Sequence, residues 1–96
     1  MSYRMFIDDI RSPSNNDMIV CRSSAEAIDY IKINGLPYFM SLDHDLGGTD
    51  TVMDFIKAMT DLYPDGPVPQ YQIHSANPEG SKNMDAYLRS WKRSLE

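Results

Sequence analysis

Short apolar runs alternate with longer amphipathic stretches along the 96-residue chain. Tyr3 to Ile7 is apolar and rich in β-formers, and it stops at Asp8-Asp9, so it predicts a first strand. Ile10 to Asp17, with Pro13, Ser14, Asn15 and Asn16, has the chemistry of a loop. Met18 to Arg22 predicts a second strand. Ser23 and Glu26 then form an S-x-x-E capping box, because the hydroxyl and the carboxylate can each satisfy a free backbone N–H of a helix start. Ala27, Ile28 and Ile31 share one helical face behind it and Gly35 supplies a stop, so a first helix is expected from about Ser24 to Ile33.

Pro37 opens a third strand, Tyr38 to Leu42, which ends at Asp43. Leu46 to Asp50 reads as a Gly-rich turn, with Asp50 the cap of the helix that follows. In that helix Val52, Phe55, Ile56, Met59, Leu62 and Tyr63 recur at i, i+3, i+4, i+7. Pro64, Gly66, Pro67 and Pro69 end it. Gln70 to Ile73 predicts a short fourth strand ending at His74, and Asn77-Pro78-Glu79-Gly80 reads as a turn. Met84, Tyr87, Leu88, Trp91 and Leu95 form one face of a third helix. Arg89, Lys92 and Arg93 lie near its end, where the helix dipole favours cations.

Strands alternating with helices predict an α/β sandwich of two or three layers around a mostly parallel sheet. The first two strands are joined by loop alone, which allows either a hairpin or a parallel pair. There is no repeat and no low-complexity tract, so residues 1–96 read as one domain.

Composition narrows the setting. Hydrophobic residues make up 42 %, enough for a packed core without staples. Cys21 is the only cysteine and lies in the apolar run Met18-Ile19-Val20-Cys21, so it reads as a buried small hydrophobe in a reducing compartment. Met1 to Ile10 is a charged, strand-like segment rather than a signal peptide. No apolar stretch nears the roughly 20 residues of a membrane span, and a cytoplasmic protein is expected. The net charge of −5 argues against binding an extended nucleic-acid backbone, which needs clustered Lys and Arg. It leaves room for a small phosphorylated ligand.

The polar residues are informative by position. Asp8-Asp9 follows the first strand, Asp43-His44-Asp45 the third, and His74-Ser75-Ala76-Asn77 the fourth. In an open α/β sheet ligands bind beyond the carboxyl ends of the strands, so parallel strands would bring the three clusters together. Taken singly, each cluster has an ordinary explanation. An Asp after a strand is often a turn former, a lone His often a hydrogen-bonded edge of the core, and Gly47-Gly48 plain turn chemistry. Their coincidence at equivalent positions is what points to a site. Two carboxylates 4 Å apart repel by about 4 kcal/mol at an effective dielectric near 20. Asp8, Asp9, Asp43 and Asp45, with only Arg11 beside them, therefore call for protons, a cation or protonated His44 and His74. A hard divalent ion, Mg²⁺ or Mn²⁺, takes carboxylate oxygens and bridges to phosphate, which leaves the histidines to move protons near neutral pH.

Three strings carry a resemblance: Phe6-Ile7-Asp8-Asp9-Ile10-Arg11-Ser12-Pro13, Ser41-Leu42-Asp43-His44-Asp45-Leu46-Gly47, and His74-Ser75-Ala76-Asn77-Pro78 with Asn83-Met84. They resemble the cyclic-phosphate processing receiver domain family, a divergent branch of response-regulator receivers known from bacteria and their phages. The resemblance implies a small, truncated, receiver-like (flavodoxin-like) sandwich with about four mostly parallel strands and three helices. Asp8 and Asp9 look like the metal-binding acidic pair of receivers, Asp43 like the phosphoacceptor, and Ser75 like the switch Ser/Thr. Two features depart from ordinary receivers. The helix between the first two strands is a loop, and nothing after Asn77 matches the fifth strand with its lysine, Lys82 lying in a different context.

The leading expectation is a phosphoesterase acting on a cyclic phosphate, such as a nucleoside or RNA-end 2′,3′-cyclic phosphate. Asp8, Asp9 and Asp43 would hold the metal. One of His44 and His74 would deprotonate water and the other protonate the departing ribose oxygen, with Asp45 orienting a histidine. Arg11, Ser75, Asn77 and Asn83 are the candidates for holding the substrate. The alternatives are a module that sequesters a cyclic nucleotide or phosphorylated end without turnover, suited to phage counter-defence, and a receiver-like domain phosphorylated on Asp43.

Overall fold

The computed structural model describes residues 2–14 and 16–96; Met1 and Asn15, the latter among the expected loop residues, lie outside the described residues. Among the described residues, four strands and three helices follow in the order β1 (Arg4–Ile7), β2 (Met18–Cys21), α1 (Ser24–Asn34), β3 (Phe39–Leu42), α2 (Val52–Leu62), β4 (Gln70–Ile73) and α3 (Pro78–Ser94). The sheet order is β2-β1-β3-β4 and every neighbouring pair is parallel. The open choice at β1 and β2 is thus resolved as parallel, with Arg4 opposite Met18 and Ile7 opposite Cys21. The segment 8–17 climbs back along the sheet, a task usually given to a helix.

Handedness explains the layering. The connections β2-α1-β3 and β3-α2-β4 step one way across the sheet, while the 8–17 loop steps the other way. Right-handed crossovers therefore put the helices on one face and the loop on the opposite face. The core agrees. Met5, Ile7, Cys21, Met40 and Leu42 form one cluster with Ala27 and Ile31 of α1, Val52, Phe55, Ile56 and Met59 of α2, and Met84, Leu88 and Trp91 of α3. Side chains alternate across a strand, so Phe6, Met18, Val20 and Phe39 point to the other face and belong to no part of that cluster. The result is a two-layer sandwich with one sheet face covered by helices and the other crossed only by loop. A shallow groove on that open face is lined by Phe6, Phe39, Ser41 and Gln72 together with Pro13 and Ser14 of the loop.

Local chemistry sets the helix ends. The Ser23 hydroxyl accepts from the Glu26 N–H at 3.1 Å, while the Glu26 carboxylate takes the N–H of Arg22 rather than that of Ser23, at 3.2 Å. Asp50 does not cap α2; Thr51 holds that position, and Asp50 instead accepts the Ser24 backbone N–H at 3.0 Å and the Ser24 hydroxyl. It thereby ties the start of α1 to the start of α2. Asn77 to Gly80 is not a separate turn but the opening of α3. The Asn77 carboxamide oxygen accepts the Gly80 N–H at 3.0 Å, and Pro78 sits in the first turn, where its missing N–H costs nothing. Leu62 and Leu95 leave the expected stripes and are exposed, because α2 ends at Leu62 and α3 ends before Leu95. Cys21 is buried, and burial pushes its thiol up to about 12. Trp91 is buried, with its indole N–H donating to the Pro64 carbonyl at 3.2 Å. No helix among the described residues is long and apolar enough to cross a membrane.

Candidate functional site

The carboxyl ends of β1, β3 and β4 open into a cleft of ≈ 650 Å³ whose walls include Asp8, Asp9, Arg11, Asp43, Asp45, Ser75 and Asn77. The three polar clusters that follow the strands in sequence are therefore neighbours in space. Oxygens of Asp8, Asp9 and Asp43 lie within 4.8 Å of one another.

Asp8 is the anchor. It is 1 % exposed, and its two oxygens accept four hydrogen bonds. Oδ1 takes the N–H groups of Ile10 (2.9 Å) and Arg11 (2.8 Å), which bends the chain sharply after β1. Oδ2 takes Arg11 Nε (2.9 Å) and His74 Nε2 (3.0 Å). Burial alone would push this carboxyl up. The two backbone N–H groups, the His74 bond and the Arg11 charge outweigh burial and hold it below the usual carboxylate range. Asp43 is also buried, and its Oδ2 lies 3.7 Å from Arg11 Nη2. Asp9 sits beside Gly47, whose φ of 91° favours glycine; an added Cβ there would also come within 3.3 Å of Asp9 Oδ2, a tight contact.

Neither imidazole lines the cleft; each stands behind a carboxylate that does. His74 bonds Asp8 through Nε2 and the Ser41 hydroxyl through Nδ1 at 2.7 Å, and its ring stacks on Phe6 with centroids 4.6 Å apart. Both of its nitrogens are thus engaged. His44 holds Asp45 Oδ1 through Nδ1 at 2.9 Å, and Asp45 is held in turn by the Asn77 carboxamide at 3.3 Å. The His44 and Asn77 bonds keep the Asp45 carboxyl below its ordinary value. The Nε2 of His44 has no hydrogen bond among the described residues. The His44 ring rests on Gly80 so closely that an added Cβ would lie 2.4 Å from its Cγ. Ser75 lines the cleft, and its hydroxyl oxygen accepts the Asn77 N–H at 3.1 Å. Asn83 does not join the site. It lies on the exposed side of α3 and lines no part of the cleft.

Arg22, Phe6 and Ser41 also matter, although they stand in no titratable cluster. Arg22, just past β2, donates to the Asp8 carbonyl at 3.1 Å, to the Arg11 carbonyl and to the Ser12 hydroxyl at 2.8 Å, and so clamps the loop that carries Asp9 and Arg11. The rule that found the acidic clusters, a polar residue directly after a strand, also picks out Arg22. Period-two alternation likewise puts Phe6 and Ser41 on the same side of the sheet as Asp8 and Asp43, two residues before each.

The donor set suits a hard cation. Mg²⁺ and Ca²⁺ prefer carboxylate oxygens at about 2.1 to 2.6 Å, so oxygens around one ion span at most about 4 to 5 Å, as these three do. Asp9 and Asp43 have oxygens to spare, whereas Asp8 is saturated by its four donors.

No curated protein and no solved structure matches the chain. A family model does, that of the cyclic-phosphate processing receiver domain, and the match runs over residues 3–90. The all-parallel four-stranded sheet, the three helices and the acidic cluster beyond the strand ends fit that match. The chain therefore belongs to the cyclic-phosphate processing receiver domain family.

Proposed function

We propose that this protein hydrolyses a cyclic phosphodiester, of the 2′,3′ kind found on nucleosides and RNA ends, in the cleft beyond the strand ends. The observation that carries the reading is the convergence of Asp8, Asp9, Asp43 and Arg11 on one point, with Asp45, Ser75 and Asn77 around it. An acidic floor with one guanidinium suits a phosphate only when a cation accompanies it. Asp9 and Asp43, joined by Asp8, would hold Mg²⁺ or Mn²⁺, which when bound neutralises phosphoryl oxygens. Arg11 donates to the phosphoryl oxygens, joined by Asn77 and the Ser75 hydroxyl.

The two histidines take different roles in this reading. The two histidines bring four imidazole nitrogens, and among the described residues only His44 Nε2 is free of a protein partner. His44, oriented by Asp45, is the proton carrier; His74 holds Asp8 in place. A water oxygen attacks phosphorus and loses its proton, the bond from phosphorus to one ribose oxygen breaks, and that oxygen leaves protonated, giving a phosphomonoester.

The second reading is a module that binds such a ligand without turnover. What favours it is that both imidazoles stand behind carboxylates rather than in the cleft wall. Incubation with 2′,3′- and 3′,5′-cyclic nucleotides and cyclic-phosphate RNA ends, with Mg²⁺, Mn²⁺ or chelator, separates the two. Ring-opened product that depends on metal and falls about 10²–10⁴-fold in His44→Ala is the expected result. Binding without product across the panel selects the second reading. Turnover unaffected by chelator removes the cation.

A further inference from the structure

Arg11 occupies an unusual place. Its Nε donates to Asp8 Oδ2 at 2.9 Å, and its Nη2 donates to the His74 carbonyl at 2.9 Å and lies 3.7 Å from Asp43 Oδ2. Yet its side chain is 56 % exposed, so the guanidinium has one edge in the acidic cluster and the other in solvent. Of the four donors that fill Asp8, two are backbone N–H groups and one is a ring held on its far side by Ser41 and stacked on Phe6. Only the Arg11 side chain can leave by rotating about its own bonds. A divalent cation that reaches the Asp8 oxygens must displace it, because a carboxylate offers about four acceptor sites and two cations on one oxygen repel.

We propose that Arg11 is the resident counter-ion of the acidic cluster, displaced from Asp8 when a divalent cation binds and thereby released to the phosphate of the ligand. This rests on the reading above that the cluster takes a divalent cation. Its consequence is coupling. Three carboxylates and one guanidinium leave two net negative charges, which one divalent ion cancels. The released guanidinium then meets an anion without a competing carboxylate. Cation and phosphate each bind better in the presence of the other, and Arg11 is the residue through which they do so.

The test is a calorimetric titration of Mn²⁺ into the full chain, wild type beside Arg11→Ala and Arg11→Gln, the latter keeping a donor without the charge. Removing a like charge a few ångströms from a cation is expected to tighten Mn²⁺ binding by about tenfold or more in both variants. Addition of adenosine 2′,3′-cyclic phosphate should tighten Mn²⁺ binding in the wild type and lose that effect in both variants. In the wild type, saturating Mg²⁺ should also shift the Arg11 Nε–H resonance and speed its exchange with water. Wild-type Mn²⁺ binding with unchanged or weaker affinity in both variants overturns the displacement and leaves the cation reading standing. An Nε–H signal indifferent to bound Mg²⁺ does the same. Absence of Mn²⁺ binding in all three proteins overturns the cation reading and this inference with it.

Discussion

The two faces of the sheet are built on different principles. On the covered face, Met5, Ile7, Met40 and Leu42 are fully buried under three helices in one apolar cluster. On the open face, buried Ser41 and half-buried Phe6 and His74 form a group whose parts are specified by direction: a stacked ring, a hydroxyl on Nδ1 and a carboxylate on Nε2. The first face holds the molecule together through area removed from water, which tolerates exchange of one hydrocarbon for another. The second holds one carboxylate in one orientation, which does not. Stability and function are therefore divided between the faces.

Substitutions on each face test that division. The largest effect is expected on the covered face. Phe55→Ala, at a position with no exposure, should cost about 3–5 kcal/mol by cavity formation, a large share of the stability of so small a protein. A denaturation midpoint that hardly moves would break the comparison. Next comes His74→Ala on the open face. It takes one of four donors from Asp8 and the ring partner from the Ser41 hydroxyl, and should cost about 1–3 kcal/mol. It should also impair ligand binding more than Phe55→Ala does at a temperature where both variants are folded. Equal impairment would show that the faces are not separable.

Smaller still is Ser41→Ala, expected to cost about 1 kcal/mol, the net worth of one hydrogen bond, since water can reach a ring that is 15 % exposed. It should lower the melting midpoint by about 4–8 °C while loosening His74, visible as faster averaging of the imidazole resonances. The smallest effect is acid sensitivity. The Asp8 carboxyl is held below its unfolded value of about 3.9, so its contribution is complete above that pH and is lost as pH falls through the lower folded value. Asp8→Asn should flatten the stability profile there and nowhere above it; an unchanged profile would assign the acid sensitivity to other carboxylates.

The sequence is most readable where a single physical period rules. The apolar stripe from Val52 to Met59 and the runs ending at Asp8, Asp43 and His74 follow from helical and strand periodicity, so elements and acidic clusters could be placed before any coordinates. The direction of β2 could not, because a loop spanning 8–17 is long enough for either a hairpin or a return. Asp50 and the Asn77–Gly80 segment show a second limit. Both have the chemistry of caps and turns, and tertiary neighbours decide which group is capped: Ser24 for Asp50, and the first turn of α3 for Asn77. At the site, the residues after the strands were legible, whereas the difference between the two histidines was not. It arises from what lies behind each ring, Ser41 and Phe6 for one and Gly80 for the other, and such contacts leave no trace in local spacing. Asn83 carried a resemblance without a place in the cleft.

The single tryptophan gives the two faces separate spectroscopic voices. Trp91 is packed with the helices, and its indole N–H is committed to Pro64, so its emission reports the α2–α3 contact and stays silent about the cleft. The cleft has its own chromophore-free signal in the magnetic shielding that Phe6 imposes on His74, whose rings lie nearly parallel at 9°. With only two histidines in the chain, that upfield-displaced imidazole is identifiable without assignment of the whole spectrum. A ligand that disturbs Asp8 would move the imidazole line and leave the fluorescence still.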